Sequence, residues 1–97
     1  IMDAGDFNKK FTKNRGCKGI RSNRITFDFE ITVNESGSTY KVDYIGDRDD
    51  LSRSNRKLLD ITLDALYQTE YIPEFNNGKA IESVIKQPIT LPRGVCQ

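Results

Sequence analysis

Ninety-seven residues suffice for one domain with a single core and are too few for two. Hydrophobic residues make up only 36% of the chain and Trp is absent, so that core is modest. Fifteen Lys and Arg against fourteen Asp and Glu leave a net charge of +1, which makes no electrostatic case for nucleic acid or an anionic membrane.

No apolar run approaches the ~18–20 residues of a membrane span, and no stretch reads as a signal peptide. The abrupt opening Ile1-Met2-Asp3 is the one expected of an excised domain whose targeting segment lies elsewhere. The whole of 1–97 reads as one domain.

Asp3 to Gly16 reads as a short helix: Phe7 and Phe11 are four apart and share a face. Asp3 or Asp6 can cap its start, basic residues crowd its end, and Gly16 suits the left-handed position after it. One short stripe carries little stability alone, so this helix must dock. Cys17-Lys18-Gly19 then leads to the stretch on which the chain is organised, Arg24 to Asn34. There Ile25, Phe27, Phe29, Ile31 and Val33 alternate with Thr26, Asp28, Glu30 and Thr32, giving a strand with one dry and one wet face. A strand covered on both sides would read as a continuous apolar run, so the expectation is an antiparallel sheet with helices on one face.

Asn34-Glu35-Ser36-Gly37-Ser38 is a cluster of turn formers, and Thr39 to Ile45 alternates again with Tyr40, Val42 and Tyr44 on one face. The two runs form a hairpin. Gly46 to Asp50 breaks the pattern; its three carboxylates lack the spacing and closing Glu of a calcium loop and read as a solvated turn. From Ser52 or Ser54 to Thr69 the period becomes helical, with Leu58, Leu59, Thr62, Leu63, Leu66 and Tyr67 as the stripe. Pro73 ends helix propagation, Tyr71 to Phe75 is an extended connector, and Asn76-Asn77-Gly78-Lys79 is a hairpin turn. Ala80 to Leu91 is the last strand, with Ile81, Ser83, Ile85, Gln87, Ile89 and Leu91 on one face. The fold class is α+β: helix, strand, strand, helix, strand, with both helices on the face carrying Phe27, Phe29, Ile31, Tyr40, Val42 and Ile85.

With no His, the commonest general base and the commonest metal ligand are missing. Arg15-Gly16-Cys17-Lys18-Gly19 lacks the spacing of a phosphate cradle. Lys9, Lys10, Lys13, Arg15, Lys18, Arg21 and Arg24 make a basic first quarter, read as a solvated face rather than as a small nucleic-acid binder. No enzyme, cofactor or metal chemistry is expected. What remains is recognition through a sheet edge, where unpaired backbone groups can accept an extended peptide or a second copy of the chain.

Cys17 precedes the first strand and Cys96 follows the third. If those strands are antiparallel neighbours the two sulfurs meet, which gives the order second–first–third and a Cys17–Cys96 disulfide in an oxidising compartment; the alternative is two unrelated free thiols. Closing so long a loop is worth about 4–5 kcal/mol on the chain-entropy account. The last strand is then an edge. Pro88, with no N–H, is best placed facing away from the existing ladder, which assigns Ile85, Gln87 and Ile89 to the central strand. Val84, Lys86 and Thr90 are left pointing outward, so Ser83 to Gln87 with Thr90 is the expected partner-binding stretch. Alternatively, Pro88 serves only to protect the edge from aggregation.

The hairpin Phe29 to Gly37, the following helix, and Tyr71-Ile72-Pro73-Glu74-Phe75-Asn76-Asn77-Gly78-Lys79-Ala80-Ile81 through Gln87-Pro88-Ile89 together resemble the C-terminal domain of TonB-type energy transducers. The resemblance covers roughly residues 16–91. It implies a periplasmic domain of an inner-membrane-anchored protein, its membrane segment outside this chain, that pairs with a short peptide of an outer-membrane transporter. The related TolA C-terminal domain has a similar plan, and a TolA-like domain would take a phage or bacteriocin protein. A secreted, disulfide-stapled interaction module with only a convergent plan is the remaining alternative.

Overall fold

The computed structural model describes residues 2–96. Its elements are α1 (Ala4–Thr12), β1 (Ile25–Val33), β2 (Thr39–Tyr44), α2 (Arg53–Gln68), β3 (Glu74–Asn76), β4 (Lys79–Ile81) and β5 (Ser83–Leu91). Single 3₁₀ turns occupy Arg15–Cys17 and Arg48–Asp50. The main sheet is antiparallel in the order β2-β1-β5, as the position of the cysteines predicts, and β3 and β4 form a small hairpin of their own.

The period-two pattern of β1 becomes a burial pattern. Phe27, Phe29, Ile31 and Val33 are at most 2% exposed, while Thr26 and Asp28 face solvent. Across the ladders Phe27 pairs with Ile89, Phe29 with Gln87 and Tyr44, and Ile31 with Ile85 and Val42, so one face runs through all three strands. Both helices join the same core, α1 through Phe7 and Phe11, α2 through Leu58, Leu59, Ile61, Thr62, Ala65 and Leu66. At roughly 1.5–3 kcal/mol for each large buried apolar side chain, this single cluster is the main stabilising contribution. Ile61 and Ala65 lie beside the predicted stripe. They are buried as well, because α2 packs on α1 in addition to the sheet.

Caps set the helix starts: Asp3 accepts from Asp6 N–H at 3.0 Å, and Ser52 Oγ accepts from Asn55 N–H at 3.1 Å. The helix predicted to reach Gly16 stops at Thr12. Asn14 Oδ1 accepts from Gly16 N–H, which turns the chain early, and Gly19 rather than Gly16 takes the left-handed backbone at φ 83°. Tyr40, expected on the dry face, is 69% exposed. The register slips between Thr32 and Val33, whose partners are Lys41 and Thr39, so Tyr40 is the unpaired residue of a bulge and is turned out of the core. The predicted last strand divides at Glu82: β4 belongs to the hairpin and β5 to the sheet. Asn77 and Gly78 at φ 52° and 77° give that hairpin a two-residue turn with both central residues left-handed.

Gly37, at φ 85°, sits where a Cβ would collide with Tyr71 O, and its own carbonyl accepts from Tyr71 N–H at 2.8 Å. The β1–β2 turn is thus locked to the chain leaving α2. At the other end of the sheet the Cys17–Cys96 disulfide joins residues 79 apart, with Cα atoms 5.1 Å from each other. Oxidised protein should therefore lose about two daltons relative to reduced protein by intact mass. Replacing both cysteines by Ala should lower unfolding stability by about 2–5 kcal/mol in a denaturant titration.

Tyr71 is buried, and burial pushes its phenol up to about 12, with the nearby Thr39 hydroxyl pulling part of the way back. That hydroxyl is directed at Leu66 O and Thr69 O, which leaves Tyr71 Oη without a hydrogen bond of good geometry. The raised value means that the fold favours the neutral phenol: this stability is intact below the unfolded-state pKa near 10 and is lost as pH rises toward 12. Tyr71→Phe should unfold less readily in that alkaline window, and at neutral pH it should match or exceed the parent by up to ~1 kcal/mol, since no bond is lost. Thermal melts across the pH series measure both effects.

Candidate functional site

An open three-stranded sheet has two edges, and this chain treats them differently. Asp28 O accepts from Ile45 N–H at 2.8 Å, so the even-numbered residues of β1 turn their backbone groups toward β2 and the odd-numbered ones toward β5. It follows that Val42, opposite Ile31, presents its backbone groups away from β1. Tyr67 of α2 covers them. Its Oη accepts from Val42 N–H at 3.1 Å and lies 3.4 Å from Val42 O, to which it donates. Upstream, Thr39 Oγ1 donates to the carbonyls of Leu66 and Thr69, Gly37 O accepts from Tyr71 N–H, and Ser38 bridges Glu70. At Gly37, Ser38 and Val42 the β2 edge is covered.

The β5 edge is open. Among the described residues no strand or isolated bridge pairs with its outer side along the nine residues Ser83–Leu91. The register sets Ile85, Gln87 and Ile89 opposite Ile31, Phe29 and Phe27, the β1 residues whose backbone faces β5. By the same alternation Val84, Lys86 and Thr90 direct N–H and C=O groups outward, and Pro88, opposite Asp28, has its missing donor on the outer side.

The side chains divide by face. Val84 (58% exposed), Lys86 and Thr90 lie on the wet face, while Ser83, Ile85 and Gln87 are half-buried on the dry one. Thr90 Oγ1 is 2.9 Å from Thr26 Oγ1, and Lys86 stands opposite Glu30, which has Asp43 on its other flank. On the dry side the strand is flanked by a groove of about 560 Å³, lined by Met2, Ile72, Pro73, Glu74, Ile85 and Gln87. Sequence reading takes Ile72 and Pro73 only as a connector and assigns Met2 no role. The Met2–Tyr71 bridge brings these segments together, a pairing of residues far apart in sequence that no local pattern announces.

A strand laid against β5 would hydrogen-bond to the outward groups of Val84 and Lys86 and lower alternate side chains into this apolar groove. The six candidate residues therefore share one edge, three by outward backbone and three by the dry face. Among the described residues no three His, Cys, Asp or Glu side chains converge as a metal site requires. Nor, among the described residues, is any helix long and apolar enough to cross a membrane. Compared with protein-family models, curated proteins and solved structures, the chain matches none of them.

Tyr67→Phe removes the cover from Val42 while keeping the ring. It should cost about 0.5–1.5 kcal/mol, the net worth of such a bond, and accelerate amide exchange at Val42 without affecting Val84 or Lys86.

Proposed function

We propose that this domain is a protein-binding module that accepts an extended peptide from a partner as a fourth strand on the outer edge of β5. The observation that carries the reading is the asymmetry of the edges: Tyr67 and the 69–71 segment occupy the β2 edge, whereas β5 keeps outward donors at Val84, Lys86 and Thr90 beside an apolar groove. A long uncovered edge is an aggregation liability, so one left open next to a recess suits a partner better than it suits an isolated monomer.

The disulfide favours an oxidising compartment. Taken with the resemblance of the Pro73, Asn77-Gly78-Lys79 and Pro88-Ile89 spacing to TonB-type transducers, this supports a periplasmic domain whose partner is a segment of an outer-membrane transporter. The helix–hairpin–helix–strand order is the plan that resemblance implies. The module acts by recognition, with the peptide's backbone supplying affinity and its alternate side chains supplying selectivity.

The test is chemical-shift and amide-exchange mapping of the labelled domain with peptides taken from outer-membrane transporters. Protection should appear at Val84 and Lys86, with Thr90, past the proline, responding less. Val84→Pro should abolish binding, at least tenfold in Kd (about 1.4 kcal/mol), by removing an outward donor, while the amide spectrum of β1 and β2 stays that of the folded protein. Protection at Tyr40–Ile45 with Ser83–Leu91 unchanged would overturn the assignment. A concentration-dependent dimer protected at the same β5 amides would replace the transporter segment with a second copy of the chain.

A further inference from the structure

At the disulfide end of the molecule lies an open cleft of about 1050 Å³ that strand addition does not use. Its lining includes Lys18, Arg21 and Arg93, together with Ser22, Asn23 and Cys96, and includes no carboxylate. The first two cations belong to the basic first quarter of the sequence; the third comes from the far end of the chain. What joins them is structural. The Cys17–Cys96 bond pins the two segments together, and Gly94 N–H donates to Ser22 O at 3.0 Å.

Three features set this cleft apart from an ordinary solvated surface. Among the described residues the ion pairs are Lys41–Asp43 and Arg48–Asp60, so Lys18, Arg21 and Arg93 converge with no carboxylate within pairing distance. In a chain of net charge +1, three cationic side chains lining one recess concentrate positive potential there. Ser22 Oγ, in the cleft wall, is shielded from solvent and has no hydrogen-bond partner, which is an unfavourable state for a hydroxyl. Finally, the backbone at Gly19 is left-handed (φ 83°) with open space where a side chain would be, so the loop keeps the recess clear.

From this arrangement we infer that the cleft is a binding site for a phosphate group, with Lys18, Arg21 and Arg93 as its cationic ligands. Planar guanidinium groups match the paired oxygens of a phosphate, Lys18 adds a point charge, and a rotamer change at Ser22 would bring its hydroxyl to a bound oxygen. Lys9, Lys10 and Lys13 do not line the cleft, so the charge is gathered for a compact anion and not spread along a track for a polyanion. The phosphate belongs either to a small soluble molecule or to a lipid headgroup. Because Arg93 is carried by the segment that the disulfide anchors, the site exists in full only in the oxidised protein.

The experiment uses the oxidised chain, isotope-labelled, titrated with sodium pyrophosphate to ~10 mM, above the ~1 mM Kd of a −4 kcal/mol interaction, in ~0.15 M salt so that diffuse surface attraction is screened. A parallel arm measures co-sedimentation with phosphatidylcholine vesicles with and without phosphatidylglycerol. Saturable shifts confined to 18–23 and 93–96, weakened at least tenfold by Arg93→Gln and by Arg21→Gln but not by Lys79→Gln, support the site and a soluble ligand. Binding only to phosphatidylglycerol vesicles, with the same dependence on Arg21 and Arg93, supports it with a headgroup as the ligand. All three substituted side chains are exposed, so loss of fold is not expected to obscure the comparison. Non-saturating shifts spread over surface Lys and Arg residues, equal losses in Lys79→Gln, or no response in either arm would overturn the proposal.

Discussion

The β1–β5 ladder is the constraint on which the rest of this fold depends. Nine consecutive residue pairs run from Ile25–Leu91 to Val33–Ser83 without a bulge. In a strand, side-chain direction and backbone direction alternate together, so fixing one register fixes both. Burying Phe27, Phe29 and Ile31 under the helices requires those residues to turn their backbone groups toward β5 and their neighbours Asp28, Glu30 and Thr32 to turn theirs toward β2. Pro88 agrees with this arrangement: opposite Asp28, it loses no ladder bond. A slip of β5 by one residue would place Ile85, Ile89 and Leu91 in water and direct the proline's missing donor into the ladder. Core and edge are therefore consequences of the same choice.

That choice leaves two edges, and they are finished differently. On the β2 side the end of α2 does the finishing, since Tyr67, though half exposed, lays its hydroxyl over both backbone groups of Val42. The chain leaving α2 continues the cover through Tyr71 and Gly37, where only a residue without a Cβ fits. On the β5 side the following chain turns away at Pro92 toward the disulfide. The bond that staples the two ends of the domain thus carries the C-terminal segment clear of the edge and toward Lys18 and Arg21.

Much of this was legible in the sequence because it rests on short periods. The alternation from Ile25 to Val33, the helical stripe from Leu58 to Leu66 and the Asn77-Gly78 turn each lie within a few residues. The strand order and the disulfide needed one further step, that the start of β1 and the end of β5 must adjoin if they are antiparallel. What escaped was what depends on contacts between distant segments. Tyr40 looked like part of the dry face because alternation cannot register an inserted bulge. Tyr67 looked like a core residue because its position in the stripe says nothing of what its hydroxyl meets. The groove that borders the candidate edge is formed by Met2 against Ile72 and Ile85, three residues whose only shared signal is apolarity, and Arg93 joins Lys18 and Arg21 only through the closed disulfide.

An open edge of nine residues also has to avoid pairing with the wrong strand, and β5 does so unevenly. Pro88 lies in its second half, where it removes an outward donor, and Thr90 beyond it is engaged by Thr26 on the wet face. The first half has no such interruption: Val84 is exposed, Ile85 and Gln87 are half-buried, and the groove lies alongside. Lys86 is its one charged side chain, the kind of residue that discourages indiscriminate edge pairing while leaving backbone groups free. The edge is thus guarded where it borders the disulfide end and receptive where it borders Met2 and Ile72. Its usable length is then about five residues from Ser83 to Gln87. A short strand with apolar residues at alternate positions fills that space, and a long one would meet the proline. Under the proposed strand addition, the same device that protects the free domain would also select for a short segment, so the protective and the functional readings of Pro88 would describe one feature acting on two kinds of partner.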